Sequence, residues 1–267
     1  MLRTAALSVR QISGYDMLRY TSLLMFFSMF ISPFAYSGGD VPSSFKDYIN
    51  VQVHEYDIHG QQMRVVGEIY YSPKLNIYKI DSKETRKYGI PDEFETYKLE
   101  LNGISYVFAA TSGASEDYGF IVGVLNSDKY IEIGEVGGSR IFVSHKGRLY
   151  SDFNGNNYFD LRQKYLLTPD DLAEVKQPIL YINMACKTTS LATLKSTPEQ
   201  NGGVVAVIPK EQDVTVIGTN YSSINGHENT HEVLIATPFG LTGWVSTELG
   251  WNRRPGKPID CVKYVGD

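Results

Sequence analysis

Residues 191–245 constrain this chain most, because they break into short β-branched runs separated by turn formers. The runs are Leu191-Ala192-Thr193-Leu194-Lys195-Ser196-Thr197-Pro198, Val204-Val205-Ala206-Val207-Ile208-Pro209-Lys210 and Asp213-Val214-Thr215-Val216-Ile217-Gly218. His231-Glu232-Val233-Leu234-Ile235-Ala236 and Phe239-Gly240-Leu241-Thr242-Gly243-Trp244-Val245 complete the set. Each run is too short for a stable helix, rich in residues that suit a pleated surface, and bounded by Gly, Pro, Asn or Ser. Regular spacing of such pieces predicts strands of a small barrel.

The middle of the chain carries the same signal. Tyr97-Lys98-Leu99-Glu100-Leu101 alternates apolar and charged side chains, as a half-buried strand does. Asn102-Gly103 follows as a hairpin turn, and Ile104-Ser105-Tyr106-Val107-Phe108 returns. Further strands fit 48–53, 64–71, 75–80, 120–125, 129–133 and 140–144. Thr168-Pro169-Asp170-Asp171-Leu172 reads as a single capped helical turn, with Thr168 as N-cap and Pro169 at N1. The stretch from Leu172 to Pro178 is the expected boundary, since Gln177-Pro178 breaks local structure before the run into the barrel. No segment repeats at a fixed period, which gives a propeller or solenoid no support. The expected fold class is all-β: an N-terminal antiparallel sandwich or meander over 40–177, then a small SH3-like β-barrel with a C-terminal tail over 185–267.

The barrel stretch resembles the bacterial SH3-like (SH3b) family. Gly240-Leu241-Thr242-Gly243-Trp244-Val245 matches that family's closing Gly-x-x-Gly-Trp-Val. Leu194-Lys195-Ser196-Thr197-Pro198 stands where the family has Leu-x-Val-Arg-Ser-x-Pro, with Lys in place of Arg and Thr in place of Gly. The resemblance covers less than a quarter of the chain. It implies binding, to a cell-wall (peptidoglycan) peptide or to a protein partner at the envelope. Family grooves are lined by aromatics, so Tyr221, Phe239 and Trp244 are the candidate binding residues. Thr230-His231 replaces the aromatic that often precedes the fourth strand, a departure that weakens the case for peptidoglycan.

The N-terminus suggests export. Leu23-Leu24-Met25-Phe26-Phe27-Ser28-Met29-Phe30-Ile31 is an apolar run preceded by Arg10 and Arg19 and followed by Ala35-Tyr36-Ser37, a small-x-small cleavage pattern. It is shorter than the roughly 20 residues a spanning helix needs. Residues 1–37 are therefore expected to be a signal peptide, with Met1 or Met17 as the start, and the protein to be periplasmic or secreted. The membrane is met only through that transient signal. The net charge of −5 comes from interspersed signs, which argues against nucleic acid, since phosphate binding needs clustered Lys and Arg.

Cys186 and Cys261 are the only cysteines, and in an exported chain a disulfide is the expected use. They bracket the SH3b-like stretch, and the first and last strands of such barrels run side by side.

Catalytic signatures do not assemble. His227-Glu228-Asn229-Thr230-His231 spells the zinc-peptidase His-Glu-x-x-His, but that chemistry needs a helix to bring both imidazoles to one metal. Here Asn225-Gly226 precedes and β-branched residues follow, so a hairpin loop is expected, with no metal site. Asp152-Phe153-Asn154-Gly155-Asn156-Asn157-Tyr158-Phe159-Asp160 alternates oxygen ligands, yet positions 6 and 12 of a calcium loop would hold Asn157 and Gln163 in place of Gly and Glu. An Asn-Gly turn explains it. No Gly-x-Ser-x-Gly elbow and no Cys outside the barrel flanks supports a hydrolase. The expectation is a non-enzymatic binding protein with no cofactor; the alternative is a cell-wall or other hydrolase with its active site in the middle region.

Overall fold

The computed structural model describes residues 41–56, 59, 61–90, 94–112, 118–127, 129–153, 160–199, 201–220, 230–248 and 257–262, which form one compact unit. The expected signal peptide, Tyr221, His227, Glu228 and residues 154–159 lie outside them. The first strands are β1 (Ile49–Tyr56), β2 (Gln62–Tyr71), β3 (Asn76–Ile80), β4 (Thr96–Leu101), β5 (Ile104–Ser112), β6 (Tyr118–Asn126) and β7 (Lys129–Gly137). Next come β8 (Arg140–Val143), β9 (Arg148–Phe153), β10 (Leu161–Leu167), β11 (Leu172–Glu174) and β12 (Ile179–Lys187). The last are β13 (Ala192–Lys195), β14 (Val204–Ile208), β15 (Asp213–Asn220), β16 (Thr230–Ala236) and β17 (Thr242–Glu248). The described residues are nearly all β, as the sequence predicts.

Two sheets result. The larger runs β1-β2-β8-β9-β10-β12-β15-β16-β17-β13-β14, with β11 beside β10; the smaller runs β3-β4-β5-β6-β7. Every described pairing is antiparallel except β2 with β8. A parallel pair needs a long crossover, and here the whole five-stranded sheet supplies it. The small sheet is thereby laid over the large one. Ile69, Ile141 and Leu149 from the large sheet and Leu99, Phe108 and Phe120 from the small one belong to a single buried cluster.

Local chemistry explains the small sheet. In β4, Tyr97, Leu99 and Leu101 enter the core while Lys98 and Glu100 stay partly exposed and pair at 3.1 Å. Asn102 and Gly103 then take φ of 53° and 79°, the paired positive values of a type I′ hairpin, which Asn and Gly tolerate best. Truncating Phe108 to Ala in this core is worth about 3–5 kcal/mol of stability.

A second cluster, including Leu180, Leu194, Val216, Val233 and Val245, fills the C-terminal strands. Leu161 of β10 belongs to it although it precedes the expected boundary over 172–178. Between the two cores, β10 and β12 pair through Arg162 and Tyr181.

Two local expectations need correction. Thr168 to Leu172 forms no helical turn; it is the hairpin joining β10 to β11. The Thr168 hydroxyl does accept from the Asp171 amide at 3.0 Å, so the capping chemistry was right, but strand pairing on both sides claims the backbone. The one described α-helix, α1 (Ser82–Tyr88), was not anticipated. Its signals are present in the sequence: Asp81 caps the Glu84 amide at 2.8 Å, and Gly89 closes it in the left-handed region.

Candidate functional site

The outer surface of the C-terminal strands follows from their alternation. Leu194, Val233 and Val245 are fully buried, so their neighbours Lys195, Leu234 and Trp244 point outward. Register aligns them: Lys195 sits opposite Val204 on one side and Trp244 on the other, and Trp244 sits opposite Leu234. A row Val204–Lys195–Trp244–Leu234 therefore crosses four adjacent strands. β17 approaches β13 closely because residue 243 is glycine; a Cβ there would meet the Leu194 Cβ at 2.9 Å and the Lys195 carbonyl at 3.1 Å. That is the physical reason for glycine before Trp244.

Phe239 lies in the tight turn between β16 and β17, held by Gly240 N–H to Thr237 O at 3.0 Å and Leu241 N–H to Thr237 Oγ1 at 3.0 Å. It is 67% exposed, an unusual state for phenylalanine, and Leu241 beside it is exposed too. No ring contact joins Phe239 to Trp244. The two share the β16–β17 hairpin without forming one aromatic box.

Cys186 and Cys261 form a disulfide, with Cα atoms 5.5 Å apart. Residues 258–262 run antiparallel to 187–189: Ile259 bridges Thr188, Thr189 N–H donates to Pro258 O at 2.7 Å, and Asp260 N–H donates to Lys187 O at 3.0 Å. The bond thus ties the C-terminal segment to the end of β12. Asp260 lies near both sulfurs, but sulfurs bonded to each other offer no thiolate to a metal.

His231 corrects the loop expected for His227-Glu228-x-x-His231, because it lies in β16, which begins at Thr230. Opposite it is Thr247 of β17, and both side chains are buried. Neither His231 Nδ1 nor Thr247 Oγ1 has a hydrogen-bond partner. Burial pushes the His231 imidazole below its ordinary value, since the cation would lose its hydration. Strand pairing won here because Val233, Leu234 and Ile235 recruit the residues before them into the ladder.

Sequence reasoning missed the densest cluster of ionisable groups. Glu95, just before β4, is buried where β1 meets the small sheet. Its Oε2 accepts from His54 Nδ1 at 2.9 Å, the His54 amide at 3.2 Å and the Tyr97 hydroxyl at 3.1 Å. Its Oε1 accepts from the Tyr56 hydroxyl at 3.0 Å and from Lys79 Nζ, which also donates to Tyr56 at 2.7 Å. Burial alone would raise this carboxyl, but the bonds from Lys79, His54 and Tyr56 outweigh it and hold it at about 2. Burial, and then the Glu95 charge, push the Tyr97 phenol far up. An ionised Glu95 only accepts, so His54 Nδ1 carries the proton. The contributing residues come from three separated segments, and no local spacing announces them.

A second network lies on the other face of the large sheet. Asp152 accepts hydrogen bonds from Arg162 Nε at 2.7 Å and Nη2 at 2.8 Å, and forms an ion pair with Arg140, whose Nε lies 3.1 Å away. Arg140 Nη2 also reaches Asp160 at 3.4 Å. Both ends of the calcium-like spelling are thus committed to arginine. Arg162 lies over the Phe142 and Phe45 rings, at 4.8 and 5.3 Å from their centroids.

No family model, curated protein or solved structure matches this chain. Among the described residues, no helix is long and apolar enough to cross a membrane.

Proposed function

We propose that this chain is an exported, non-enzymatic binding protein of the cell envelope, periplasmic or secreted, whose C-terminal SH3b-like barrel engages a cell-wall peptide or an envelope protein. The observation that carries this reading is the outward row Val204–Lys195–Trp244–Leu234 together with exposed Phe239 and Leu241. A partly covered indole beside a lysine stem and a free phenyl ring offers contact area at low entropic cost, and the flanking β-strands keep it pre-organised. An extended peptide suits such a surface, because its alternate side chains can meet alternate rows. The export signal over 1–37 and the Gly243-Trp244-Val245 close supply the compartment and the module.

Co-sedimentation with purified peptidoglycan tests it. Trp244→Ala and Phe239→Ala are each expected to cost about 1–3 kcal/mol of binding, as buried aromatic anchors do, with the far-UV spectrum unchanged. Full retention of binding by both variants would overturn the reading. Binding to a solubilised envelope protein, with none to peptidoglycan, would assign the surface to a protein partner.

The competing reading is a hydrolase acting from the middle region, and the His54–Glu95 pair is what favours it. Glu95 fixes the proton on Nδ1 and leaves Nε2 as the base. Wall-lytic activity abolished by His54→Gln would establish that reading.

A further inference from the structure

β14 ends the large sheet, and among the described residues no strand covers its outer side. Its unpaired N–H and C=O groups can be satisfied in kind only by another extended strand. The other edges are blunted by charge within the strand: Glu55 in β1, Lys79 in β3, Glu132 and Glu135 in β7, Glu174 in β11. β14 reads Val204-Val205-Ala206-Val207-Ile208, with neither a charge nor a proline. Val204, Val205 and Val207 are 66%, 46% and 49% exposed, so an apolar strand is open along its edge.

We propose that β14 is a self-pairing edge, and that a second copy of this chain docks on it as an antiparallel strand related by a two-fold axis at Ala206. A two-fold interface must be self-complementary, and this strand is. The axis sets Val205 of each copy opposite Val207 of the other, on the outward face. The smallest side chain, Ala206, meets itself at the axis. Four valines then form one patch, and β-branched pairs of this kind are favourable across strands. No like charges face each other over the strand. Beyond it, Lys210 of one copy lies opposite Gly202 of the other, in the turn closed by Gly202 N–H to Glu199 O at 3.0 Å. Glu199 is exposed on that turn, so Lys210, which also pairs with Glu211 of its own chain at 3.1 Å, approaches it at both ends of the pairing. A foreign strand would have no reason to reproduce this reciprocity. The pairing extends the sheet beyond the edge of β14 and does not cover the outward side of Trp244 on β17 or Phe239 at the β16–β17 turn, which stay open to the envelope ligand. Five residues make a small interface, and the dimer is accordingly weak and concentration-dependent.

Sedimentation velocity on the purified protein over a wide dilution series tests this. The expected result is a reversible monomer–dimer equilibrium that Val207→Lys weakens by roughly tenfold or more. Val207 is solvent-facing, so the variant keeps its fold; an unchanged thermal midpoint checks that. Combining Val207→Lys with Val205→Glu places opposite charges across the axis and is expected to restore the dimer, which pairing in any other register would not do. A strictly monomeric protein, a dimer indifferent to Val207→Lys, or a double variant that stays dissociated would each overturn the proposal.

Discussion

Glu95 shows how one residue can hold two sheets in register. A buried carboxylate without partners would be severely destabilising, and this one has hydrogen bonds from β1, β3 and β4 converging on it. Its folded value of about 2 lies below the ordinary 4.5. A depressed carboxyl stabilises the fold fully above its unfolded value and loses that contribution as pH falls through the folded one. The difference corresponds to about 3 kcal/mol at neutral pH. Glu95→Gln is therefore expected to lower stability in urea by about that much at pH 7 and by little near pH 2. An equal deficit at both ends would show that packing, not ionisation, is responsible. His231 works in the opposite chemical sense but with the same pH direction. Its folded value is lowered, so the unfolded chain takes up the proton first, and stability falls as pH drops through the ordinary 6.5. His231→Leu, which keeps an apolar side chain in a buried place, should flatten the loss of stability between neutral pH and pH 5. Unfolding midpoints of the two proteins across that range check it.

At the scale of elements, the C-terminal segment is the clearest case of structure held from outside the strand ladder. Residues 257–262 belong to no strand, yet Ile259, Cys261 and Val262 are buried in the C-terminal core. Three backbone hydrogen bonds and the disulfide keep them there. Closing a separation of 75 residues contributes roughly 4.5 kcal/mol in the chain-entropy model. Replacing both cysteines with serine should lower stability by about 2–5 kcal/mol, and free-thiol titration of the unfolded, unreduced parent should find none. Two titratable thiols would refute the bond. The elements the sequence revealed are those whose cause is local. The alternation of residues 97–101, the Asn102-Gly103 turn and the five C-terminal runs are periodic patterns closed by turn formers, and all became strands. β9, β10 and β12 were not foreseen, because Arg148–Phe153 and Leu161–Leu167 mix charged and apolar residues without clean alternation, and Ile179–Lys187 carries apolar residues at exposed and buried positions alike. Their polar members are partnered across the sheet, as Arg162 is with Asp152, and such partners are invisible in a linear reading. The same reason hid the Glu95 cluster. Trp244, by contrast, was legible because its glycine, its turn and its strand are consecutive.

The described residues form one compact unit with two cores, and that combination has a thermodynamic consequence. The large sheet passes from one core to the other through β10 and β12, which share a single register pair, Arg162 with Tyr181. Leu161 is the one residue of the preceding strands that belongs to the second core. A junction of one pair and one buried leucine carries little coupling compared with the 21 buried side chains of one core and the 14 of the other, so the cores are expected to open in separate steps. Both tryptophans, Trp244 and Trp251, lie in the C-terminal part of the chain, which makes indole fluorescence a reporter of that part alone, while far-UV circular dichroism reports all the strands. Urea unfolding followed by the two signals should give transitions that do not coincide. Reduction of Cys186–Cys261 should then move the fluorescence transition to lower urea, leaving unmoved the part of the dichroism change that belongs to the sheets around Phe108 and Ile141. Leu161→Ala should act on the fluorescence transition more than on the other, because its side chain packs with the second core. Superimposable transitions that shift together on reduction would mean that the Arg162–Tyr181 junction transmits the full stability of one core to the other.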